Sequence, residues 1–531
     1  MRDIYANAKG VFVWLGEEDM DSSLAFRTLR RLTVLYSPRE IVQSWPKEME
    51  SAFFESETAP LPKSVQQFAN PDSLLTNFRR PGTGNQKTQP PGTRSISIWH
   101  LIRVGIDIPP DFTKPRADPR ELLLAKQETA ALERLFQRPW FRRIWVFQEV
   151  ALAKETIFLC GRASLSWDDL IRAATWLSFS EPRAIEGFMP QLVLNIAAVR
   201  EALVQPAGEL SGLMLHLRRL LAHLRWCEAT DPRDKVYGLL GVANRTASLS
   251  PDYAKDVATL YMEIVRILIA EHESLEILGT EKCSTSKIDI PSWATDWSQN
   301  RDNNQGLRLG DGRVDGKHKF RASGGRKPVI CPVSNPRELR LKGFALDSIA
   351  IVHGEYVPEF SDFLILEHAI HLLKIPHGIG LDDVYPFTGE EATVAFQRVL
   401  CADLQSSDRI EPFLEAALFH GGSSSTARAS QNERPLKGTR LMQWFYSVML
   451  RVTLGRHFFI TERGYIGLAA GTVQKGDSVA VLLGSDVPFT LRAKDQAFEL
   501  IGECYLHGIM DGEAVTGHEK AGNDFDEIVL I

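Results

Sequence analysis

Arg138-Pro139-Trp140-Phe141-Arg142-Arg143-Ile144-Trp145-Val146-Phe147-Gln148-Glu149-Val150 is the stretch from which the rest of this chain is read. Trp140, Phe141, Ile144 and Trp145 fall at helical spacing, and Gln148 and Glu149 continue the turn that Trp145 begins. Thr156-Ile157-Phe158-Leu159-Cys160 follows as an apolar strand, so the expectation is a helix feeding a strand. A buried indole N–H or carboxylate needs a partner, and Arg142 and Arg143 are the nearest cations to Glu149 in sequence. Two readings stand side by side. One is a polar site inside a packed shell. In the other, Trp140 and Trp145 are core, while Glu149 and the arginines form a structural ion pair at a domain seam.

Upstream, Ile4, Tyr5 and Ala8 read as the end of an amphipathic helix stopped by Gly10. Val11-Phe12-Val13-Trp14-Leu15 is then a continuous apolar strand closed by Gly16, and a run apolar on both faces predicts a sheet covered by helices on both sides. Its neighbouring strands must come from elsewhere, because little strand-like sequence follows for a long way. Glu17-Glu18-Asp19 is placed to cap a helix whose apolar face includes Leu24, Phe26, Leu29 and Leu32. Residues 37–97, rich in proline, glycine, serine and threonine, read as a disordered insertion. A helix with Leu122, Leu123, Leu124, Ala131, Leu132 and Leu135 leads back to the central stretch.

Downstream, Ser166 and Asp169 form a variant capping box. Thr230-Asp231-Pro232-Arg233-Asp234-Lys235-Val236-Tyr237-Gly238-Leu239-Leu240-Gly241 reads as a short helix, with Asp231 as N-cap, Pro232 at N1 and Gly241 ending it in a left-handed conformation. Its charged start is either capping or a recognition surface. Val257, Leu260, Tyr261, Ile264, Leu268 and Ile269 form one face of a long amphipathic helix. Pro291-Ser292-Trp293-Ala294-Thr295-Asp296-Trp297 is a second tryptophan pair around a carboxylate. Strand signals return at Lys319–Ala322 and at Leu339–Val352, and helical patches such as Phe413–Phe419 follow. The last ninety or so residues are short strands separated by glycine turns, one of them Lys475-Gly476-Asp477, which predicts a small antiparallel barrel or sandwich.

At 531 residues the chain is too long for one ordinary core. A net charge of −6, with lysine and arginine spread along the chain, gives nucleic acid nothing to attract it. The six cysteines lie far apart with no Cys-x-x-Cys and no histidine at ligand spacing, so they read as reduced, mostly buried thiols, and no metal site is expected. No window is apolar enough for a membrane span and no signal core opens the chain, so a cytoplasmic protein is expected. Gly-x-Gly-x-x-Gly, Gly-x-Ser-x-Gly and Walker loops are absent, and His223, His457 and His507 stand isolated, as satisfied core histidines do.

Set side by side, these blocks resemble the fungal heterokaryon-incompatibility (HET) domain proteins. The matching residues are Ile4-Tyr5 with Ala8, Val11 to Gly16, Arg138 to Glu149, Asp231 to Gly241, Pro251-Asp252-Tyr253, Pro291-Ser292-Trp293 with Asp296-Trp297, and Gly502 to Glu513. Their order and spacing over most of the chain make the resemblance specific. The motif residues it marks are Tyr5, Trp14, Gly16, Arg143, Trp145, Gln148, Glu149, Asp231, Arg233, Asp234, Tyr237 and Gly238. The pattern departs in one respect: a Leu-Ser-Tyr-x-Trp-Gly strand and an Asp-x-x-Cys-Ile-Asn-Gln segment, which proteins of this family carry earlier, do not precede Val11 here. The expectation is an N-terminally truncated homologue or a mispredicted start.

The resemblance implies an α+β multidomain protein. Residues 1–160 would be an incomplete TIR-like α/β domain, 161–300 a helical region, 301–360 a β-rich segment, 361–440 a mixed helical linker region and 441–531 an antiparallel β domain. It implies a role in non-self recognition and incompatibility-triggered cell death, acting by assembly with protein partners of the incompatibility system and without a cofactor. The alternatives are a TIR-like enzyme that cleaves NAD, with Glu149 as the carboxylate beside tryptophans able to stack on a nicotinamide or adenine ring, and a degenerate truncated homologue. Fold analogy does not by itself raise the enzyme reading above assembly.

Overall fold

The computed structural model describes residues 2–34, 124–180, 190–204, 215–244, 249–280, 286–299, 309, 313–314, 317–318, 320–353, 384–403, 449 and 452–531. The contacts divide the chain into two compact units, Met1–Lys255 with Trp297–Asn303, and Asp256–Asp296 with Asn304–Ile531. The predicted insertion at 37–97, Phe413–Phe419 and most of 361–440 lie outside the described residues.

The first unit contains a small sheet of β1 (Val11–Trp14), β2 (Thr156–Cys160) and β3 (Ala163–Ser166) in that order. β1 runs parallel to β2, with Val13 opposite Phe158, and β2 antiparallel to β3, with Phe158 opposite Leu165. These three side chains are buried. They share the face on which α2 (Ser22–Val34) and the helix Trp167–Ser180 pack. Asp19 accepts hydrogen bonds from the Asp21 and Ser22 amides at 3.1 and 2.8 Å and so opens α2, whose Ala25, Phe26, Leu29 and Leu32 are buried while Leu24 is half-buried. Ser166 Oγ accepts from the Asp169 amide and donates to the Asp169 carboxylate, so the predicted capping box forms.

Two local expectations are corrected. The strand at Val11 is not buried on both faces: among the described residues helices pack only on the face of Val13, and on the other face Phe12 is 70% and Trp14 51% exposed. Nor do residues 138–150 form one helix. Pro139–Arg142 is a 3-10 turn, Arg143 is extended, and the helix restarts at Trp145–Ala151. The break has a clear cause: this segment exchanges backbone bonds with another, Glu228 N donating to Arg142 O at 2.5 Å and Ile144 N to Glu228 O at 2.9 Å.

The second unit contains the amphipathic helix Val257–His272, opened by the Asp256 carboxylate, which accepts from the Thr259 amide. Leu260, Tyr261, Ile264, Leu268 and Ile269 are buried along it, as the periodicity predicts. Its sheet takes strands from well before the C-terminal ninety residues. Leu339–Val352 lies in the middle of the strand order, between Asp526–Leu530 and Arg456–Thr461, and also pairs with Ser478–Leu482. Ile466–Ala470 pairs with Ala497–Leu506, closing the strands on one another. Pairing is antiparallel except for one parallel register at Phe498 and Leu530. Gly343 permits a close crossing here, since a Cβ on it would sit 2.5 Å from Val481 O. The predicted turn at Gln474–Asp477 forms with Gly476 at φ +90°. Of the strand expected at Lys319–Ala322, Lys319 lies outside the described residues, and Arg321 and Ala322 are in a turn, Arg321 N donating to Met510 O and Ala322 N to Asp486 O.

Candidate functional site

In the first unit the chain draws together three of the blocks singled out in the sequence. Gln148, 2% exposed, is the joint. With its amide oriented to satisfy both ends, its nitrogen donates to Gly238 O at 3.2 Å and its oxygen accepts from the Arg2 backbone amide at 3.0 Å. The helix Trp145–Ala151 thereby holds both Arg2–Asn7 and the turn after Tyr237. Gly238 lies against Ile144, and a Cβ there would meet the Asp234 carbonyl oxygen at 2.8 Å. Gly241 is placed by the same contact: a Cβ on it would lie 2.2 Å from the Gln148 amide, on the side of the oxygen that accepts from Arg2. The sequence reading of Gly241 as a left-handed stop is therefore corrected, since the helix is only Asp234–Tyr237 and Gly241 is not among the positive-φ residues.

Glu149 is half-buried and lies beside the Tyr5 hydroxyl, and it forms no ion pair with Arg142 or Arg143. Burial, followed by the Glu149 carboxylate, raises the Tyr5 pKa, with Arg143 opposing from within Coulombic reach. Arg142 pairs instead with Glu228 at 3.0 Å, and Arg143 is exposed. The structural ion pair expected between Glu149 and the arginines is corrected accordingly: the break at Arg143 turns both arginines away from the helix that carries Glu149. Trp140 packs edge-on against Phe141 and Phe158 at 5.0 and 5.2 Å, while Trp145 is half-buried. Phe147, nearest to Glu149 in the chain, is fully buried, which leaves Trp145 and Tyr5 as the partly exposed aromatic side chains beside it for a nicotinamide or adenine ring.

Asp231 and Arg233 form the second cluster. The Asp231 carboxylate accepts from the Arg233 amide at 2.9 Å and from its guanidinium at 2.9 and 2.7 Å; the helix starts only at Asp234, so the expectation of Asp231 as its N-cap and Pro232 as its first residue is corrected. Hydrogen bonding to Arg233 is the main reason the Asp231 carboxyl is held below its ordinary range. The same guanidinium donates to the carbonyls of Tyr253 and Lys255 and lies 5.4 Å from the centre of the Tyr253 ring. Tyr253 donates to Asp234 at 2.6 Å, packs edge-on to Tyr237 at 5.3 Å, and has its hydroxyl pKa raised by burial and by Asp234. Tyr237 in turn donates to Asp252 O at 3.0 Å. Asp231, Arg233, Asp234 and Tyr237 thus fasten the turn to Pro251-Asp252-Tyr253, and one side of the choice between cap and recognition surface is satisfied by internal bonds.

Trp14 and Gly16 stand apart from Gln148, at the open end of the sheet. Gly16 has φ +105°, and beside it Arg138 donates to Leu15 O at 2.7 Å, Glu17 O at 3.0 Å, Asp19 at 2.8 Å and Ser22 Oγ at 2.9 Å. Arg138 is the residue sequence reading passed over. It ties the end of β1 to the start of α2, and only the long separation in sequence hid it.

The second unit has its own polar interior. Arg456 and Glu503 form an ion pair at 2.9 Å with both side chains almost fully buried. His507 is 4% exposed, and its ring joins the Tyr505 hydroxyl at 2.7 Å to the Glu390 carboxylate at 2.5 Å. Glu390 also meets Arg398 at 3.0 Å and Thr388 Oγ1 at 2.7 Å; burial opposes these bonds, yet the net effect lowers its pKa. Among the described residues no group of His, Cys, Asp or Glu is arranged to hold a metal ion, and no helix is long and apolar enough to cross a membrane. Cys160, Cys227, Cys401 and Cys504 are buried free thiols, and burial pushes Cys227 up to about 12. Cys283 lies outside the described residues.

Residues 1–149 match the model of the family described as Heterokaryon incompatibility protein (HET), and residues 429–525 match that described as the Het-6 beta-barrel domain. A curated relative, Heterokaryon incompatibility protein 6, OR allele, of Neurospora crassa, is 25% identical over 519 residues, covering 80% of this chain and 72% of its own length. No solved structure matches the chain.

Proposed function

From a chain that belongs to the fungal heterokaryon-incompatibility (HET) family and carries a Het-6 barrel domain, we propose a cytoplasmic protein of non-self recognition that triggers cell death by assembling with protein partners. Family membership supports the role in incompatibility. The mode of action rests on one observation: Gln148, Asp231, Arg233, Asp234 and Tyr237 of the motif spend their polar atoms on bonds within the first unit. Gln148 is satisfied by Gly238 and Arg2, and Arg233 by Asp231, Tyr253 and Lys255. A motif used in this way is a frame that holds a surface in shape, which suits assembly better than turnover. Expression of the chain in a filamentous fungal host tests the proposal. Growth arrest is the expected result, and healthy colonies at verified protein levels would overturn it.

A TIR-like reading of the first unit, with NAD cleavage at Glu149, is the second possibility, favoured by the Tyr5 hydroxyl beside the Glu149 carboxylate and by the half-buried Trp145. Loss of NAD on incubation with the purified protein, abolished in Glu149→Gln, is what it requires.

A further inference from the structure

In the second unit, residues 385–390 form a turn that closes on itself, Tyr385 N donating to Glu390 O at 2.7 Å and Gly389 N to Tyr385 O at 2.9 Å. What this strap offers the strands beside it is three side chains. The Tyr385 hydroxyl accepts from Ile466 N at 3.2 Å and donates to His507 O at 3.4 Å. Phe387 stacks on Tyr465 with ring centres 3.6 Å apart. Gly508, at φ +91°, leaves room for it, since a Cβ there would lie 3.3 Å from Phe387 Cβ and 3.2 Å from Thr388 Cγ2. The Glu390 carboxylate meets His507 Nε2 at 2.5 Å. Tyr385 is buried and Phe387 and Glu390 are half-buried, while Pro386 between the two rings is exposed. Aromatic knobs seated in a hollow, with a charge at its edge, are the anchors by which a surface grips a peptide.

We propose that the strip formed by Tyr465, Ile466, His507 and Gly508 is a peptide-binding site which residues 385–390 fill in cis. Its partner is a protein segment carrying two aromatic side chains and a carboxylate at the spacing of Tyr385, Phe387 and Glu390. The chemistry of that partner is read from the occupant already seated there. One subsite takes a phenol that both accepts and donates, the second a ring laid flat on Tyr465, and the third an anion on the His507 ring. Tyr385 and Ile466 belong to a buried apolar cluster, and His507 is buried beside them. Without an occupant, Ile466 N and His507 Nε2 lose their partners in that setting, where an unpaired polar group is destabilising. One occupant therefore leaves only as the next arrives. The strap is an internal competitor, and a partner at high local concentration displaces it.

This deepens the assembly reading and rests on it for its biological meaning, but peptide binding is measured without reference to growth arrest, so either can fail alone. The probe is a fluorescein-labelled peptide of residues 384–391, Val-Tyr-Pro-Phe-Thr-Gly-Glu-Glu, followed by fluorescence anisotropy. The full chain carrying Tyr385→Ser, Phe387→Ser and Glu390→Gln, which empties the three subsites, binds it with a Kd of about 10–100 µM. The wild type binds on the order of a hundred-fold more weakly, because its own strap competes at an effective concentration in the millimolar range. Phe387→Ala in the peptide abolishes binding, and Glu390→Gln weakens it by about ten-fold. Tyr385 lies in the core, so a measurement on the wild type stands beside these. Millimolar peptide speeds hydrogen exchange at the Tyr385 and Gly389 amides and leaves the strand Ser478–Leu482 unchanged. That result decides alone if the emptied chain lacks the wild-type circular dichroism spectrum. A folded, emptied chain that ignores the peptide, binding indifferent to Phe387→Ala, or strap exchange that peptide does not alter overturns the proposal.

Discussion

Gly241 and Gln148 occupy the same small space: a Cβ on the glycine would lie 2.2 Å from the amide oxygen of the glutamine, as its bonds orient it, and 2.4 Å from the amide carbon. Gln148 cannot step aside, because its amide bonds Gly238 O on one side and the Arg2 amide on the other. Gly241→Ala therefore displaces the joint between three segments. The expected loss is about 1–3 kcal/mol in the stability of the first unit, from overpacking together with a buried amide left unpaired. Urea unfolding followed by tryptophan fluorescence measures it; an unchanged midpoint would show that Gln148 is not fixed.

The Asp231–Arg233 pair gives a pH dependence of known sign. The folded-state pKa of Asp231 is lowered, chiefly by its hydrogen bonds from Arg233. The unfolded chain thus binds the proton more readily, and the contribution of Asp231 is present above its ordinary carboxylate pKa and lost as pH falls through the folded value. Melting temperature measured between pH 7 and pH 3 should fall less steeply in Asp231→Asn than in the wild type, from a lower starting value. An identical slope in the two proteins would remove this pair from the acid response.

In the second unit the Arg456–Glu503 pair is sealed from solvent, with side chains 9% and 7% exposed. Removing one partner strips the other buried charge of its ion pair, so Glu503→Gln or Arg456→Met costs about 3–5 kcal/mol. Calorimetry or chemical unfolding of the full chain resolves a loss of this size. A loss under one kcal/mol, as is usual for exposed pairs, would mean that water reaches the pair.

Purified protein incubated with NAD is expected to leave the cofactor intact, since the Tyr5 hydroxyl already lies beside the Glu149 carboxylate. Chromatography of the nucleotide over hours is the check. Nicotinamide release that disappears in Glu149→Gln would move the account from assembly to catalysis.

Much of the local structure could be read from residue patterns, because it depends on neighbours in sequence. The Ser166–Asp169 cap, the buried face of Val257–His272 and the turn at Gly476 are of this kind. What escaped depends on partners distant in the chain. Val11–Leu15 was recognisable as a strand from its composition, but nothing local says that its one neighbour is Thr156–Cys160 or that Phe12 and Trp14 face solvent. The helical spacing of Trp140 and Ile144 was equally plain, yet backbone bonds to Glu228 break the helix between them. Gly241 carried the ordinary signature of a helix stop, whereas its small size is needed for Gln148. His507 looked isolated until the fold brought Glu390 to its ring.

The account turns on the motif being a frame that presents a surface, and expression in a filamentous fungal host tests this most directly. Colony growth is compared for the wild-type chain, Glu149→Gln and Gly241→Ala, at matched protein levels. Growth arrest by the wild type, kept in full by Glu149→Gln and lost in Gly241→Ala, is the predicted outcome. Arrest that Glu149→Gln abolishes and Gly241→Ala leaves untouched would contradict it.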